Sequence, residues 1–241
     1  MKTILSLRPN PECYEDEEKF KNFGINCIAF PMLEFKLKSS PSKRVLKSCS
    51  GTILTSKRAI KAIDLMIDDY DESFFKKPVF CIGKTTGMNA KNIGFNNVFS
   101  GNSNSKELVK LVKASETANN VNYLWLSGQQ INIDLSKCFD KTKINLKRHK
   151  IYSMIEKKFI EPASLNLIKS GNIDGIMALS VRTLKNFKKL LMKYDLWDCH
   201  KNLNLFAISE NVSSSIMADW KKRYFPDEPN TKNLVDIIKS T

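Results

Sequence analysis

Short apolar runs alternate with amphipathic helical stretches along nearly the whole chain. Each run is four to six residues long and dominated by apolar residues, which is the pattern of a buried strand. The predicted strands are Thr3–Leu7, Asn26–Pro31, Thr52–Thr55, Val79–Ile82, Asn122–Leu126, Ile144–Lys147, Asp174–Ala178 and Leu203–Ile208. The predicted helices are Pro11–Phe23, Ser56–Asp68, Thr85–Ile93, Ser105–Ala114, Ile131–Cys138, Pro162–Ser170, Ser180–Met192, Val212–Lys222 and Thr231–Lys239. Strand followed by helix, repeated this often, predicts parallel sheets flanked by helices on both faces, so the fold class is α/β.

The second half of the chain repeats features of the first. The aligned segments are Gly51–Arg58 with Gly175–Arg182 (offset 124), Val79–Val112 with Leu205–Ile238 (offset 126) and, more loosely, Ile4–Leu7 with Tyr123–Leu126 (offset 119). Seven of the 34 positions in the longest segment are identical, among them the pair Asn104/Asn230. A repeat of this kind predicts one α/β unit that was duplicated, and therefore two similar domains.

Hydrophobic residues make up 42% of the 241 residues and charged residues 27%, close to the average for a soluble folded protein. No apolar run approaches the roughly 18 residues that a membrane span needs. The opening MKTILSLRPN leads into the acidic run Glu15–Glu18, which fits neither a secretion signal nor a transit peptide. We therefore expect a soluble chain with a sizeable core, no contact with a membrane and a cytoplasmic location.

Six cysteines are scattered along the chain without a CxxC pair, and four of them lie in apolar contexts. This spacing fits neither a zinc site nor a disulfide framework, so we expect reduced thiols packed as small hydrophobic groups. The two histidines, His149 and His200, stand in polar, basic surroundings. A histidine-based metal site is not expected, and neither is any other metal site.

The formal net charge is +14, and only six of the 39 basic residues are arginine. Two interpretations stay open. Lysine-rich composition is common where a genome is rich in A and T, and the charge then carries no function. Alternatively, the positive field concentrates an anionic partner, either a nucleic acid or a polycarboxylate. The sequence contains neither clustered arginines nor aromatic stacking motifs, so it does not favour a nucleic-acid partner.

Two Ser-x-Arg turns stand where a predicted strand ends and a helix begins. Ser56 and Arg58 form the first turn, and Ser180 and Arg182 form the second. A helix N-terminus binds carboxylate or phosphate through its free N–H groups and the positive end of the helix dipole. Each serine is equally well explained as a helix cap, but the recurrence in both halves favours a part in a binding site.

The turn after the strand Val79–Ile82 contains Gly83, Thr85 and Thr86, which offer a close backbone approach and two hydroxyl groups. It resembles a fragment of a P-loop, but the upstream glycine of GxxxxGK[ST] is absent, so nucleotide hydrolysis is rejected. The equivalent turn in the second half places Asn211 beside an acidic residue. We therefore expect one half to bind more anion than the other.

Arg8 ends the first predicted strand, and Ser127 and Gly128 end its counterpart in the repeat. In open parallel sheets, ligands gather beyond the carboxyl ends of the strands, so these turns are expected to face the ligand side. Tyr152 follows a basic run in an extended segment. A tyrosine is a donor at neutral pH, able to support a departing oxygen but a poor base.

In order and spacing, six short motifs of this chain resemble the uroporphyrinogen-III synthase family. The motifs are Leu7-Arg8-Pro9, Ala29-Phe30-Pro31-Met32-Leu33, Thr55-Ser56-Lys57-Arg58-Ala59, Gly83–Thr86 ahead of a helix that ends in Gly94-Phe95, Ile151-Tyr152, and Gly171–Ser180. The resemblance covers nearly the whole chain. One departure is the turn Ser209–Val212, which leaves Thr86 as the only residue that carries its motif's hydroxyl.

The resemblance implies a lyase without a cofactor, which closes linear hydroxymethylbilane to uroporphyrinogen III with loss of water. The last pyrrole, ring D, is inverted through a spiro intermediate. The implied fold has two α/β domains joined by a two-stranded hinge, with the active cleft between them. The implied domains are residues 1–35 with 155–241, and residues 36–154 with the hinge strands.

The resemblance also suggests roles for the residues singled out above. Tyr152 is the candidate catalytic residue, assisting the leaving hydroxyl. The candidate substrate-binding residues are Arg8, Ser56, Arg58, Gly83, Thr85, Thr86, Ser127, Gly128, Ser180, Arg182 and Asn211. A substrate with eight carboxylates fits the basic charge, since such groups bind amide and hydroxyl donors.

Two other interpretations compete with this one. A phosphate- or nucleotide-handling protein would need a magnesium carboxylate and a full glycine loop, and neither is found in the sequence. A two-domain receptor for a small anionic ligand, without catalysis, would have the same duplicated units. No coiled coil or long apolar surface stripe is seen, so a monomer is expected.

Overall fold

The computed structural model of the chain describes residues 1–101, 104–115, 121–131, 133–139 and 143–241. The strands in this part of the chain are β1 (Lys2–Ser6), β2 (Ile25–Ala29), β3 (Leu33–Leu37), β4 (Gly51–Leu54), β5 (Val79–Cys81), β6 (Val98–Ser100), β7 (Val121–Gly128), β8 (Ile144–Glu156), β9 (Gly175–Ala178), β10 (Asn204–Ala207) and β11 (Lys222–Tyr224). The helices are α1 (Glu12–Lys21), α2 (Lys43–Ser48), α3 (Lys57–Asp64), α4 (Glu72–Lys76), α5 (Lys84–Asn92), α6 (Ser105–Ala114), α7 (Ser136–Phe139), α8 (Pro162–Lys169), α9 (Val181–Lys193), α10 (Glu210–Ser214) and α11 (Thr231–Ser240).

The chain divides into two compact units, each with its own sheet. Unit 1 comprises Met1–Phe35 and Ile155–Thr241, and unit 2 comprises Lys36–Met154. The chain leaves unit 1 within β3 and returns to it within β8. These two strands pair, with Lys38 N–H bonded to the Ile151 carbonyl and Lys157 N–H bonded to the Met32 carbonyl. Residue numbers increase along β3 while those of the bonded partners in β8 decrease, so the pair is antiparallel.

The sheet of unit 1 has the strand order β11-β10-β9-β1-β2, and all its neighbouring strands run parallel. Side chains alternate between its faces, as the two-residue period of a strand requires. Leu5, Ile176 and Leu205 lie on one face, in the cluster that α9 completes through Phe187. The opposite face is packed by another cluster, which includes Leu234 of α11. Both faces of the sheet are therefore covered.

The sheet of unit 2 has the order β3-β8-β7-β4-β5-β6, and β8, β7, β4, β5 and β6 run parallel. Ile53, Phe80 and Trp125 occupy one row of neighbouring strands and form a buried cluster. Leu108 and Val112 of α6 pack against that row. The predicted α/β class with parallel sheets flanked by helices is confirmed.

The two sheets share one strand order, because β6, β5, β4, β7 and β8 correspond to β11, β10, β9, β1 and β2. Details of packing recur as well. Phe80 stacks on Phe99 with ring centroids 5.2 Å apart, and Phe206 stacks on Tyr224 at the same separation. Asn104 and Asn230 cap α6 and α11 through the same kind of bond, to the N–H three residues on. The predicted duplication into similar units agrees with this correspondence.

Some predicted elements were wrong or incomplete. The predicted helix Val212–Lys222 is instead the short α10, which ends at Ser214, followed by β11. The predicted helix Ile131–Cys138 is helical only from Ser136, and residue 132 lies outside the described residues. The apolar pattern does not predict five of the elements: the strands β3, β6 and β11 and the helices α2 and α4.

Among the residues that the structure describes, no helix is long and apolar enough to cross a membrane. The same residues include no group of three or more His, Cys, Asp and Glu side chains that could hold a metal ion. All six cysteines are free thiols, and Cys13, Cys27, Cys49 and Cys81 are buried.

Candidate functional site

A cleft of about 520 Å³ opens in unit 2 at the carboxyl ends of its parallel strands. It is lined by Thr55, Ser56, Arg58, Ile82, Asn104, Ser105, Trp125, Gly128, Gln130, Ile131, Ile133, Leu135, Tyr152 and Met154. These residues follow β4, β5 or β7, precede or begin α6, or lie on β7 or β8. The carboxyl edge of a parallel sheet is where ligands bind in open α/β folds, because strand-to-helix turns converge there.

The N-terminus of α3 forms one wall of the cleft. The Ser56 hydroxyl accepts a hydrogen bond from the Arg58 N–H at 3.1 Å, so the serine caps the helix as one interpretation expected. Thr55, the residue before it, accepts a hydrogen bond from the Trp125 indole N–H at 3.4 Å. The turn is therefore anchored to β7, and the positive end of the α3 dipole points toward the cleft.

The N-terminus of α6 reaches the same cleft. Asn104 caps this helix by accepting a hydrogen bond from the Glu107 N–H at 2.9 Å, and Ser105 is the first helical residue. Both residues line the cleft. Two helix N-termini and the Arg58 side chain thus meet in one depression, which makes it electrostatically suited to carboxylates.

Tyr152 lies against the backbone at the end of β7. The register of β7 and β8 pairs Ser127 with Lys150 but Gly128 with Tyr152, so β8 carries a bulge at Ile151. A Cβ atom on Gly128 would lie 2.7 Å from the Tyr152 Cζ and 2.9 Å from its Oη. Only glycine therefore admits the phenol ring at this position. The Tyr152 carbonyl accepts a hydrogen bond from the Gln129 N–H at 2.8 Å.

The remaining wall of the cleft is apolar. Ile82, Ile131 and Leu135 line it together with Met154, whose N–H donates to the Gln130 Oε1 at 3.4 Å. Such a wall offers van der Waals contact and excludes water, whereas the helix N-termini opposite offer polar donors. The arrangement suits a ligand that combines flat apolar rings with anionic groups.

Of the predicted site residues in unit 2, the cleft brings together Ser56, Arg58, Gly128 and Tyr152. The other four are not among the residues that line it: Gly83, Thr85, Thr86 and Ser127. Gly83 has a φ of +77° and precedes α5, which explains why glycine is needed there. Thr86 is buried, Thr85 is exposed, and the buried Ser127 hydroxyl accepts a hydrogen bond from Arg148.

In unit 1, the predicted residue Arg8 forms an ion pair rather than an open anion site. Its guanidinium donates to the Asp16 carboxylate at 2.6 Å, and the Ser6 hydroxyl donates to the other oxygen at 2.6 Å. Asp16 is 1% exposed, and this burial raises the pKa of its carboxyl although both donors oppose the shift. Arg8 is thus oriented by a buried acid at the carboxyl end of β1.

The other predicted residues of unit 1 follow neighbouring strands of the same sheet. Ser180 comes after β9 and caps α9, accepting from the Thr183 N–H at 3.2 Å. Arg182 lies 3.4 Å from the Glu156 carboxylate, and the exposed Asn211 lies in α10, after β10. These residues share the carboxyl edge of the sheet with Arg8.

Sequence reasoning missed several residues of the cleft, namely Asn104, Ser105, Trp125, Gln130 and the apolar wall. Asn104 could have been predicted, because it recurs as Asn230 and stands before a helix in the half of the chain whose Gly83–Thr86 turn carries two hydroxyl groups. Trp125 and the apolar residues gave no such signal, since a strand core has the same composition.

Comparison with known proteins points to one family. The model of the family described as uroporphyrinogen-III synthase HemD matches residues 15–236. The crystal structure of uroporphyrinogen-III synthetase from Helicobacter pylori is similar with a TM-score of 0.67 at 14% identity, covering 100% of this chain and 99% of that one. A mutant uroporphyrinogen III synthase from Thermus thermophilus is similar with a TM-score of 0.54 at 11% identity, covering 100% of this chain and 97% of that one. At such identities these two structures support the fold alone. Among curated proteins, none matches this sequence.

Proposed function

Because the chain belongs to the uroporphyrinogen-III synthase family, a family of cyclising lyases, we propose that it converts hydroxymethylbilane to uroporphyrinogen III. The reaction removes one molecule of water and closes the linear tetrapyrrole, with inversion of ring D through a spiro intermediate. The observation that carries the proposal is the family match over residues 15–236. The cleft of unit 2 adds support from geometry, since it places Tyr152 beside two helix N-termini.

We assign the carboxylates of the substrate first to the polar wall of this cleft. Ser56, Arg58 and Ser105 stand at the starts of α3 and α6, where the positive ends of the two helix dipoles and the charge of the Arg58 guanidinium attract carboxylate oxygens. A charge-assisted hydrogen bond of this type contributes roughly 1.5–3 kcal/mol, so a few of them hold a flexible chain in a bent conformation. The pyrrole rings then pack on the apolar wall that contains Ile82 and Met154.

We propose that the predicted residues outside the cleft make further contacts with substrate carboxylates. In unit 1, Arg8, Ser180, Arg182 and Asn211 stand at the carboxyl edge of one parallel sheet, as do the cleft residues of unit 2 in theirs. In unit 2, Gly83, Thr85, Thr86 and Ser127 belong to the turns beside the cleft. A substrate with eight carboxylates needs many donors, which favours contributions from several turns.

Tyr152 is the candidate for the chemical step. Its phenol gives a proton to the hydroxyl that departs as water, while the lone pair of the adjacent pyrrole nitrogen forms an exocyclic C=C bond and leaves a cation. The substituted carbon of ring D bonds to the methylene carbon of that cation, which gives the spiro intermediate. The older bond from this ring D carbon to the methylene of ring C then breaks, and that methylene bonds to the other α carbon of ring D, whose proton returns to the phenolate. The enzyme's main contribution is geometric, since it holds the substituted α carbon of ring D closer to the cationic methylene carbon than the unsubstituted α carbon on the other side of the ring nitrogen.

The proposal is tested by incubating the protein with freshly made hydroxymethylbilane and separating the ring isomers by chromatography. The expected result is uroporphyrinogen III as the main product, against only the type I isomer in a sample without protein. A two-domain receptor for small anions would leave the type I isomer as the only product. That outcome would overturn the proposal.

A further inference from the structure

The Arg148 side chain is fastened to the end of β7, directly behind the cleft. It is paired with Trp125 in the register of β7 and β8, and its Cζ lies 5.1 Å from the Trp125 ring centroid. Its Nε donates to the Ser127 hydroxyl at 2.8 Å. One terminal nitrogen donates to the carbonyl oxygens of Gly128 at 2.6 Å and Gln129 at 3.0 Å. Arg148 is not among the residues that line the cleft.

The segment that Arg148 holds is the one on which Tyr152 rests. Gly128 supports the phenol ring so closely that even a methyl group would collide with it. The next residue, Gln129, donates its N–H to the Tyr152 carbonyl, so the segment is bonded to Arg148 through two carbonyls and to Tyr152 through an amide. A shift of this backbone must therefore move the phenol.

The same guanidinium also packs against Trp125, a residue that lines the cleft. It lies over the face of Trp125, a geometry in which a cation is attracted to an aromatic ring. The Trp125 indole in turn donates to the Thr55 hydroxyl beside Ser56. Arg148 therefore reaches the start of α3 only through Trp125 and Thr55, whereas the cap of α3 is the bond between the Ser56 hydroxyl and the Arg58 N–H, which does not involve Arg148.

We propose that Arg148 is a positioning residue, which fixes the Gly128–Gln129 backbone and thereby the height of the Tyr152 phenol in the cleft. This inference rests on the proposed function. A planar fork with several donors is needed to hold a hydroxyl and two carbonyls at once, and lysine supplies only a point charge. Arg148 therefore acts on the rate of the chemical step and not on substrate affinity.

The experiment is a double-mutant cycle with Arg148→Gln and Tyr152→Phe, in which kcat and KM are measured for formation of uroporphyrinogen III. Arg148→Gln alone is expected to lower kcat on the order of 10-fold with KM little changed, because small misplacements of reacting groups are costly. In the Tyr152→Phe background, the same change is expected to have little further effect on kcat, since Arg148 acts through the phenol. The kcat of Arg148→Lys, which keeps a positive charge at this position, is expected to lie between that of the unmodified protein and that of Arg148→Gln.

The matched control is Lys147→Gln, which removes one positive charge from an exposed neighbour on β8 and should leave both constants unchanged. A purely structural role for Arg148 would give effects that add in the double mutant, and this would overturn the inference. Equal kcat in Arg148→Gln and the unmodified protein would also overturn it. If Arg148→Gln fails to fold, the same double-mutant cycle is run with Arg148→Lys and Tyr152→Phe, and non-additive effects on kcat support the inference while additive effects overturn it. Absence of the type III isomer with the unmodified protein would instead count against the proposed function.

Discussion

At the residue scale, the proposed chemical step depends on the phenol of Tyr152. Replacing it with phenylalanine keeps the ring against Gly128 but removes the donor to the departing hydroxyl. We expect kcat to fall on the order of 100-fold with KM nearly unchanged, as for the loss of a general acid. Steady-state kinetics would measure this, with Tyr14→Phe in unit 1 as the control for loss of a half-exposed phenol. An unchanged kcat would remove Tyr152 from any chemical role.

Gly128 gives an independent test of the same geometry. A methyl group at this position would lie 2.7 Å from the Tyr152 Cζ, so Gly128→Ala must push the ring away from its place. We expect kcat to fall by about 10-fold or more. The control is Gly101→Ala, whose methyl group would meet the Leu111 side chain at 3.0 Å at a place that does not line the cleft. If Gly128→Ala kept full kcat, the contact between Gly128 and Tyr152 would have no catalytic importance.

How much the sequence predicts at this scale depends on the chemical type of the residue. Hydroxyl and guanidinium groups at strand ends predict Ser56 and Arg58 as binding residues, the family resemblance suggests Tyr152, and all three line the cleft. Arg8 also stands at a strand end, but its guanidinium bonds to the buried carboxylate of Asp16 in α1. Whether an arginine is open to a ligand depends on such tertiary contacts, which residue type alone does not reveal.

At the element scale, the duplicated helices α6 and α11 provide a matched pair. Asn104 and Asn230 make the same capping bond, but only Asn104 lines the cleft. We expect both Asn104→Ala and Asn230→Ala to lower the free energy of unfolding by ~1 kcal/mol. Only Asn104→Ala should also raise KM, by about 2- to 10-fold, because the start of α6 loosens. Equal KM values in the two variants would argue against α6 as a wall of the binding site.

Two predicted elements differ from the structure because hydrogen bonds and strand pairing override the pattern of apolar and polar side chains. The helix expected over Val212–Lys222 ends at Ser214 because serine hydroxyls compete for the backbone, as in the bond from Ser215 to the Val212 carbonyl. The strand β8 extends over 13 residues, although only its first four were predicted. Its basic run from Lys147 to Lys150 interrupts the apolar pattern, and pairing with β7 and β3 overrides that signal.

At the scale of the whole molecule, the predicted similarity of two α/β units rested on many weak matches at once, and the two sheets share one strand order. The glycine shared by β4 and β9 shows why such matches persist. A Cβ on Gly51 would lie 2.7 Å from the Pro78 carbonyl oxygen, and one on Gly175 would lie 2.6 Å from the Asn204 carbonyl oxygen. Equivalent backbone crowding in both sheets requires the same residue.

Burial across both units also determines the reactivity of the six cysteines. Desolvation raises the pKa of the Cys13, Cys27 and Cys81 thiols to about 12 and also raises that of Cys49. Since the thiolate is the nucleophile, these four should resist iodoacetamide in the folded protein even at pH 9, whereas the exposed Cys138 should react. Mass spectrometry of digested protein would locate the label, with the denatured chain as the control in which all six react. Labelling of a buried thiol at the rate of Cys138 would contradict the packing described.

We propose that the cleft at the carboxyl edge of the unit 2 sheet holds the tetrapyrrole. A crystal structure of the protein with bound uroporphyrinogen III would test it most directly. The expected result is a product carboxylate within about 3 Å of the N–H groups that begin α3 or α6, with the Tyr152 phenol facing a bridging carbon of the ring. A product bound elsewhere, with the cleft of unit 2 left to solvent, would contradict the claim.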